Sequence, residues 1–316
     1  MNKTRFLQLL ASGVAASTLA RPAPALADDV TIRVATIPSD TGAEPLYGLD
    51  SGIFAQNGLR IDLSLFTNYG AVQGALAGGA VDVAVNDTLG MAVAVAHGAP
   101  FQIIAPGARY IENAPTLMMC VAANSTIRQP SDLAGGTIAL PTLRNSPEAA
   151  VRLWLAQQHV DATTVKLVEV PLPQMGVALE RGTVAAATIT EPSLTAARLA
   201  GAREFANVYD AVAHEFFQNV WTTTVGYAQA NPDVLKRLVA AIYKTATWAN
   251  AHHSESGVIL AKYTKVGAAT TQAMTRTMYG TDLNRKLLQP LLDAGRATGL
   301  LSTSVTAAEL IAPRLR

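Results

Sequence analysis

The sequence is short of cysteine, of charge and of aromatic residues. Cys120 is the only cysteine in 316 residues, so an internal disulfide is excluded and stability must come from burial. Charged residues make up 15% of the chain, and 24 basic residues nearly balance 23 acidic ones. This leaves no charge excess that would attract nucleic acid or a membrane surface. Half of the residues are hydrophobic, which is enough to build a substantial core.

Motifs of catalysis and of metal binding are also missing from the sequence. It contains neither a phosphate-binding loop nor a Gly-x-Ser-x-Gly nucleophile motif. The adjacent His252 and His253 have no third ligand at helical spacing. Cys120 lies in an apolar run and is interpreted as a buried strand residue. We therefore predict that the protein is not an enzyme, that it has no catalytic residues, and that it holds neither a metal nor a cofactor.

The first 27 residues have the pattern of a secretory signal peptide. Lys3 and Arg5 precede an apolar stretch, and Ala25 and Ala27 provide the small residues that a signal peptidase needs. We expect cleavage after Ala27 and export to the periplasm, by the general secretory or the twin-arginine route. No later segment offers about 20 apolar residues without charge, so we expect a soluble chain, long enough for two domains.

Short β-branched runs alternate with Ala- and Leu-rich segments, a pattern typical of strand–helix–strand units around parallel sheets. The predicted strands are 30–36, 60–66, 81–85, 102–106, 116–122, 137–140, 165–170, 184–190 and 219–228. The predicted helices between them are 45–56, 71–77, 89–97, 147–158, 173–181 and 193–200. Beyond residue 228 the pattern predicts a C-terminal helical pack, with helices at 232–251, 254–263, 270–279, 282–298 and 307–315.

Three ordered stretches carry a resemblance to a known family. Residues 44–59 include Gly52, Phe54, Gly58 and Leu59 at matching positions, residues 70–85 end on a Gly-x-Val-Asp-like element, and residues 131–192 run from Ser-Asp-Leu to Glu-Pro. Together they resemble the periplasmic substrate-binding proteins of ABC importers for sulfonates, taurine, nitrate and thiamine-precursor pyrimidines (NMT1/THI5-like and SsuA/TauA-like). Ala185 departs from the pattern, because relatives carry an acidic residue there.

The resemblance implies an α/β fold of the type II periplasmic binding protein class. Two lobes would each contain a mostly parallel sheet flanked by helices, with the C-terminal helical pack covering one of them. We expect one lobe to comprise residues 28–112 and 220–316, the other residues 113–219, and the crossings to lie near 111–116 and 214–220. The implied function is that of a solute receptor, expected to be a monomer, whose partners are a small-molecule solute, an ABC permease and its ATPase subunit.

Candidate ligand-binding residues follow the strands, because parallel sheets bind ligands at the carboxyl ends of their strands, where helices begin. Several of them would also serve as helix caps or core residues. The candidates from the sheet of the first lobe are Ser39, Asp40, Thr41, Asn68, Tyr69, Gly70, Asn86, Asp87 and Thr88. The candidates from the second lobe are Leu143, Arg144, Asn145, Ser146, Thr190 and Glu191. Arg109, near a crossing, and Trp221, an aromatic that could stack on a planar solute, complete the set.

The charge of the solute depends on which side chains of the cleft reach it. Arg144 precedes a helix that we expect Ser146 to cap, and its guanidinium suits a carboxylate or a sulfonate. We therefore expect an anionic organic solute. Glu191 leaves a cationic or amine-bearing solute open. A receptor for an aminopyrimidine thiamine precursor and an exported enzyme on the same fold are the alternatives.

Overall fold

The computed structural model describes residues 30–302 and 305–313, so the predicted signal peptide lies outside the described residues. Thirteen strands run through the described part. They are β1 (Val30–Thr36), β2 (Leu59–Leu65), β3 (Val83–Asp87), β4 (Phe101–Pro106), β5 (Ala108–Ile111), β6 (Leu117–Val121), β7 (Thr137–Leu140), β8 (Lys166–Glu169), β9 (Ala186–Thr190), β10 (Arg203–Ala206), β11 (Glu215–Phe217), β12 (Asn219–Thr224) and β13 (Met278–Tyr279).

Helices connect and cover these strands. They are α1 (Glu44–Asp50), α2 (Ile53–Gln56), α3 (Tyr69–Ala77), α4 (Thr88–Ala96), α5 (Ser146–Gln157), α6 (Leu172–Glu180), α7 (Ser193–Leu199), α8 (Val225–Ala230), α9 (Pro232–Ala251), α10 (His253–Thr264), α11 (Ala268–Ala273), α12 (Gln289–Ala297) and α13 (Ala307–Leu310). Among the described residues, no helix is both long enough and apolar enough to cross a membrane.

Two five-stranded sheets organise the molecule into two lobes. The sheet of lobe 1 has the order β2-β1-β3-β12-β4, and only β12 runs antiparallel to its neighbours. The sheet of lobe 2 has the order β10-β6-β9-β7-β8, with β6 as its antiparallel strand. Both sheets are therefore mostly parallel and flanked by helices, which confirms the predicted α/β fold class.

A small third sheet has the order β11-β5-β13. Strands β5 and β11 pair antiparallel, with Glu215 opposite Ile111. Strand β5 ends where the first predicted crossing begins, at 111–116, and β11 lies within the second, at 214–220. The predicted lobe boundaries, residues 28–112 with 220–316 and residues 113–219, stay a prediction.

Three predicted elements have different boundaries in the structure, each for a specific structural reason. The single helix predicted over 45–56 is two helices, because Gly52 takes a left-handed backbone with φ 78° between them. The strand predicted over 219–228 ends at Thr224, whose side chain accepts the Tyr227 N–H and starts α8. The helix predicted over 270–279 is wrong beyond Ala273, because Met278 and Tyr279 pair with β5.

Apolar side chains fill both faces of each large sheet. In lobe 1, Ile32 and Val34 of β1 pack with Leu238 and Ile242 of the long helix α9. The single cysteine, Cys120, is fully buried in β6, which confirms its interpretation as a strand residue in the core. The sheets thus form rigid platforms whose carboxyl-terminal edges present the loops described next.

Candidate ligand-binding site

Side chains from both lobes line a small cavity. Its volume is ≈ 20 Å³, which is room for about one water molecule. It lies where the carboxyl ends of parallel strands from both sheets meet, because Ser39 follows β1, Asp87 ends β3 and Thr190 ends β9. This is the edge at which α/β sheets bind ligands. The lining residues are Ile37, Ser39, Thr41, Tyr69, Asp87, Leu117, Pro141, Asn145, Pro147, Leu172, Thr190, Tyr209, Gln218 and Asn219.

Some of the residues predicted from the sequence line this cavity, and others lie beside it. Those in the lining are Ser39, Thr41, Tyr69, Asp87, Asn145 and Thr190. An outer groove of ≈ 280 Å³ shares Tyr69 and Asn145 with the cavity and contains three further candidates, Gly70, Leu143 and Arg144. The structure therefore brings candidates from both lobes together, while the remaining ones have other environments.

Asp87 is the charged residue of the cavity lining. Its side chain is 3% exposed, and its Oδ1 accepts the Gly90 N–H of helix α4 at 2.8 Å, as an N-terminal cap. Burial raises the pKa of Asp87 to about 6, although hydrogen bonds from Gly90 and Ser146 act in the opposite direction. No Lys, Arg or His in the described part of the chain forms an ion pair with Asp87 within 4 Å.

Hydrogen bonds between the lobes hold the cleft closed. The backbone N–H and the hydroxyl of Ser146, in lobe 2, both donate to Oδ1 of Asp87, in lobe 1, at 3.0 Å. The backbone N–H of Asp40 donates to the carbonyl oxygen of Glu191 at 3.0 Å. Hydrogen bonds to a charged acceptor are the stronger kind, so Ser146 and Asp87 form a latch across the cleft.

Asparagines cap two of the helices that start at the cleft. Asn145, not Ser146 as predicted, is the N-cap of α5, because its Oδ1 accepts the Glu148 N–H at 3.3 Å. Asn68 caps α3 in the same way through the Ala71 N–H, at 2.9 Å. With its cap supplied by Asn145, Ser146 can direct its hydroxyl to the other lobe. The Nδ2 of Asn145 is buried without a hydrogen-bond partner among the described residues.

Arg144 lies in the outer groove and not in the cavity. Its backbone adopts φ 57°, its N–H donates to Oε2 of Glu148 at 2.6 Å, and the residue is exposed. The described lining of the cavity contains no Lys, Arg or His. The binding of an anion by Arg144 therefore stays a prediction, and it concerns the outer groove.

Asp40 is directed into lobe 1, away from the cavity. It is fully buried and accepts hydrogen bonds from the Tyr47 hydroxyl at 2.9 Å and the Thr277 N–H at 2.6 Å. It also forms a buried ion pair with Arg276, at 3.3 Å. Its side chain thus ties the start of α1 to the C-terminal segment, and only its backbone takes part in closing the cleft.

Two predicted residues at the end of β3 form hydrogen bonds with other elements of the fold. Asn86 donates from Nδ2 to Oγ1 of Thr222 on β12 at 2.6 Å. Thr88 donates its hydroxyl to the carbonyl oxygen of Phe217 at 2.8 Å. Both are fully buried. Asn86 joins β3 to β12, Thr88 joins the first residue of α4 to β11, and neither lines the cavity.

Trp221 and Arg109 also have partners outside the cavity. Trp221 is fully buried, and its indole N–H donates to Oε2 of Glu44 at 2.5 Å. Burial raises the pKa of Glu44 well above its ordinary value. Arg109 of β5 pairs with Glu215 of β11 at 2.9 Å within the third sheet. Neither residue lies where it could stack on or bind a solute in the cavity.

The Glu191 side chain contacts residues of helix α7. It accepts the Thr195 N–H at 2.9 Å and the Thr195 hydroxyl at 2.8 Å, and it lies 3.3 Å from Arg198. Burial raises its pKa even so. Its contribution to the cleft is therefore its backbone carbonyl and not its carboxylate.

Three polar residues of the cavity were missed by the sequence analysis. Gln218 directly precedes β12, and Asn219 is its first residue. Because β12 is the antiparallel strand of its sheet, its amino end lies beside the carboxyl end of β3, with Asn219 opposite Asp87. Recognising 219–228 as antiparallel would have found them. Tyr209 lies on a short 3₁₀ turn, and no strand pattern marks it.

A second opening between the lobes adjoins the cavity. This apolar groove has a volume of ≈ 820 Å³ and shares Ile37 and Leu172 with the cavity lining. Phe66 from lobe 1 and Val177 from lobe 2 are among its walls. The closed cleft therefore has a polar inner end and a wider, mostly apolar outer side.

Sequence comparison identifies the group of proteins to which this arrangement belongs. The family model described as NMT1/THI5 like matches residues 43–256, which include strands of both large sheets. The chain belongs to the NMT1/THI5-like family. A curated relative from Brucella abortus is 24% identical over 294 residues, covering 89% of this chain and 86% of the relative. Its name describes it as a binding protein, provisionally assigned.

Solved structures with the same fold include receptors and an enzyme. The alkanesulfonate-binding protein SsuA from Xanthomonas axonopodis pv. citri has a TM-score of 0.75 at 18% identity and covers 90% of this chain and 99% of its own. The periplasmic nitrate-binding protein NrtA from Synechocystis PCC 6803 has a TM-score of 0.72 at 15% identity, covering 89% and 84%. The desulfurization enzyme DSZB reaches 0.67 at 15% identity, covering 90% and 97%. These likenesses establish the periplasmic binding protein fold.

Proposed function

We propose that the protein is the solute receptor of an ABC importer, which binds a small organic solute between its lobes and delivers it to a membrane permease driven by an ATPase subunit. The observation that carries this proposal is the interlobe cavity, where polar side chains of both lobes meet at the carboxyl ends of their strands. Membership of the NMT1/THI5-like family supports it.

Closure of the lobes is the proposed mechanism of capture. A cavity of ≈ 20 Å³ is too small for an organic solute, so the lobes must separate before one can enter. A solute that touches both lobes then favours the closed arrangement over the open one, because it gains its full set of contacts only there. The Ser146–Asp87 latch supplies part of the closing free energy.

The cellular setting is part of the same proposal. The signal-like residues 1–27 support export and a periplasmic location after cleavage at Ala27. We propose a monomer with lobes comprising residues 28–112 with 220–316 and residues 113–219, since the two large sheets divide along these lines. The permease would bind the closed form, which is the form that presents both lobes in one fixed orientation.

An exported enzyme on the same fold is the second candidate, because DSZB has this fold. Against it, the described lining of the cavity contains neither His nor Cys. Cys120 is buried in β6, where burial raises the pKa of its thiol to about 12 and disfavours a nucleophilic thiolate. The receptor proposal therefore predicts binding without turnover.

A thermal-shift screen tests the proposal. The mature chain, refolded to remove carried-over ligand, is screened against sulfonates, carboxylates, nitrate, amines and pyrimidines, because a ligand that binds only the folded state raises the melting temperature. We expect a rise that depends on concentration with one class, and no chemical change in the recovered compound. Conversion of the compound would contradict the receptor function and favour the enzyme.

A further inference from the structure

The interlobe cavity contains a carboxylate for which the described residues provide no cation. Asp87 is 3% exposed, and its hydrogen bonds from Gly90 and Ser146 all end on Oδ1. A buried carboxylate without a positive partner is costly, because burial removes its hydration. The described residues thus leave the carboxylate of Asp87 without a counter-ion in the closed cleft.

The rest of the lining is neutral. Its polar side chains are hydroxyls and amides, and the described lining includes no Lys, Arg or His. An anionic solute in this space would bring a second negative charge close to Asp87 in a site of low dielectric constant, where like charges repel strongly. Arg144, the cation expected to bind an anion, lies in the outer groove and is exposed.

A second group in the lining indicates what else the solute carries. The Nδ2 of Asn145 is buried and has no hydrogen-bond partner in the described part of the chain. Its Oδ1 is occupied by the Glu148 N–H, so the free capacity of this amide is a donor. A buried donor is satisfied by an acceptor atom such as a hydroxyl, carbonyl or ring nitrogen.

We propose that the solute is an organic cation, with a protonated or permanently charged nitrogen beside Asp87 and a neutral hydrogen-bond acceptor within reach of Asn145. The inference rests on the proposed receptor function and narrows it. The cation neutralises Asp87 in the closed state, so its charge contributes to closing the lobes as well as to recognition.

Dialysis against a fractionated metabolite mixture tests this inference. Yeast extract is separated on a cation-exchange resin at neutral pH into a retained fraction and a flow-through. Each fraction is dialysed against the refolded mature chain, and the compounds held by the protein are released and identified by mass spectrometry. We expect a bound compound from the retained fraction, and none from the flow-through.

Variants test whether the bound compound depends on the charge of Asp87. Asp87→Asn keeps an oxygen that can cap α4 and accept from Ser146, but it removes the charge, so we expect affinity to fall more than tenfold. Asp62→Asn removes an exposed carboxylate of β2 and is the matched control, with affinity unchanged. Melting curves of both variants establish that each is folded.

The outcomes separate this inference from the function on which it rests. Binding from the flow-through alone, with affinity lost in Arg144→Ala, would overturn the cation and leave a receptor for anions. A retained-fraction compound that binds Asp87→Asn as tightly as the unmodified chain would also overturn it. No bound compound from either fraction would count against the receptor function itself, and the inference would fail with it.

Discussion

The replacement Asp87→Asn makes a quantitative prediction about stability and pH. Burial raises the pKa of Asp87 from 3.8 to about 6, so the folded state favours the protonated acid. The resulting stabilisation is fully present below about pH 4 and is lost as the pH rises through about 6. Each pKa unit corresponds to about 1.4 kcal/mol, so the shift costs the folded protein about 3 kcal/mol at neutral pH.

Asparagine carries no titrating proton, so the folded variant does not lose the free energy that ionisation of buried Asp87 costs. The free energy of unfolding of Asp87→Asn, relative to the unmodified chain, should therefore rise by about 2 kcal/mol between pH 4 and pH 6, and level off above. The hydrogen bonds from Gly90 and Ser146 can persist, because the amide oxygen still accepts them. The ionisable groups that face Asp87 are Tyr69 and Tyr209. Burial raises both of their pKa values, so they stay neutral over this range.

Urea unfolding of the ligand-free mature chain, repeated from pH 4 to pH 8, measures this difference. Other buried acids such as Glu44 affect the curves of both proteins, and subtraction removes their contribution. Asp62→Asn again serves as the control for the loss of one negative charge. A difference between Asp87→Asn and the unmodified chain that is flat across the whole range would refute the reasoning, because it would mean that Asp87 is hydrated or neutralised in the folded, ligand-free protein.

Three further substitutions test other parts of the structure. Ser146→Ala removes one hydrogen-bond donor of the latch to Asp87, and a hydrogen bond to a charged acceptor is worth about 1.5–3 kcal/mol. Small-angle scattering should therefore show a more open ligand-free protein. An unchanged radius of gyration would argue against the latch. Arg276→Met leaves Asp40 buried without its cation and should lower the free energy of unfolding by about 3–5 kcal/mol; a loss below 1 kcal/mol would mean that the pair is dispensable. Gly42→Ala should lower the melting temperature, because its methyl group would overlap the carbonyl oxygen of Ile37.

Nine of the ten strands of the two large sheets could be predicted, because most of them are short runs rich in apolar residues. The strand β10 was missed, because its residues are only partly buried or exposed and two of the four are charged. The strand predictions for β1 and β7 match the structure at both ends, and the others differ by a few residues. The third sheet was not predicted. Its strands have four residues or fewer, and each exists through pairing with segments far away in the sequence. No local pattern carries that information.

The candidate site also has a part that local sequence predicts and a part that depends on residues far away in the sequence. The rule that ligands bind at the carboxyl ends of strands led to Ser39, Asp87 and Thr190, which the cavity brings together. It led equally to Asp40, and the expectation of a stacking aromatic led to Trp221, but both lie in the core. Their partners, Arg276 and Glu44, are 236 and 177 residues away in the sequence. A strand end identifies a residue near the edge of the sheet, but the direction of its side chain depends on partners that only the fold supplies.

In the closed cleft, the charge of a single side chain, Asp87, affects the closing of the lobes. Asp87 caps α4, accepts the latch from Ser146 and lines the cavity, so its charge affects the stability of lobe 1, the closing of the lobes and the binding of the solute together. Without a solute, closing the lobes buries an unpaired carboxylate, and the cost of that burial opposes the latch. A cation removes the cost only in the closed state, where Asp87 is desolvated. The differential affinity that a lobe-closing receptor needs then arises from electrostatics at one residue, without requiring many separate contacts.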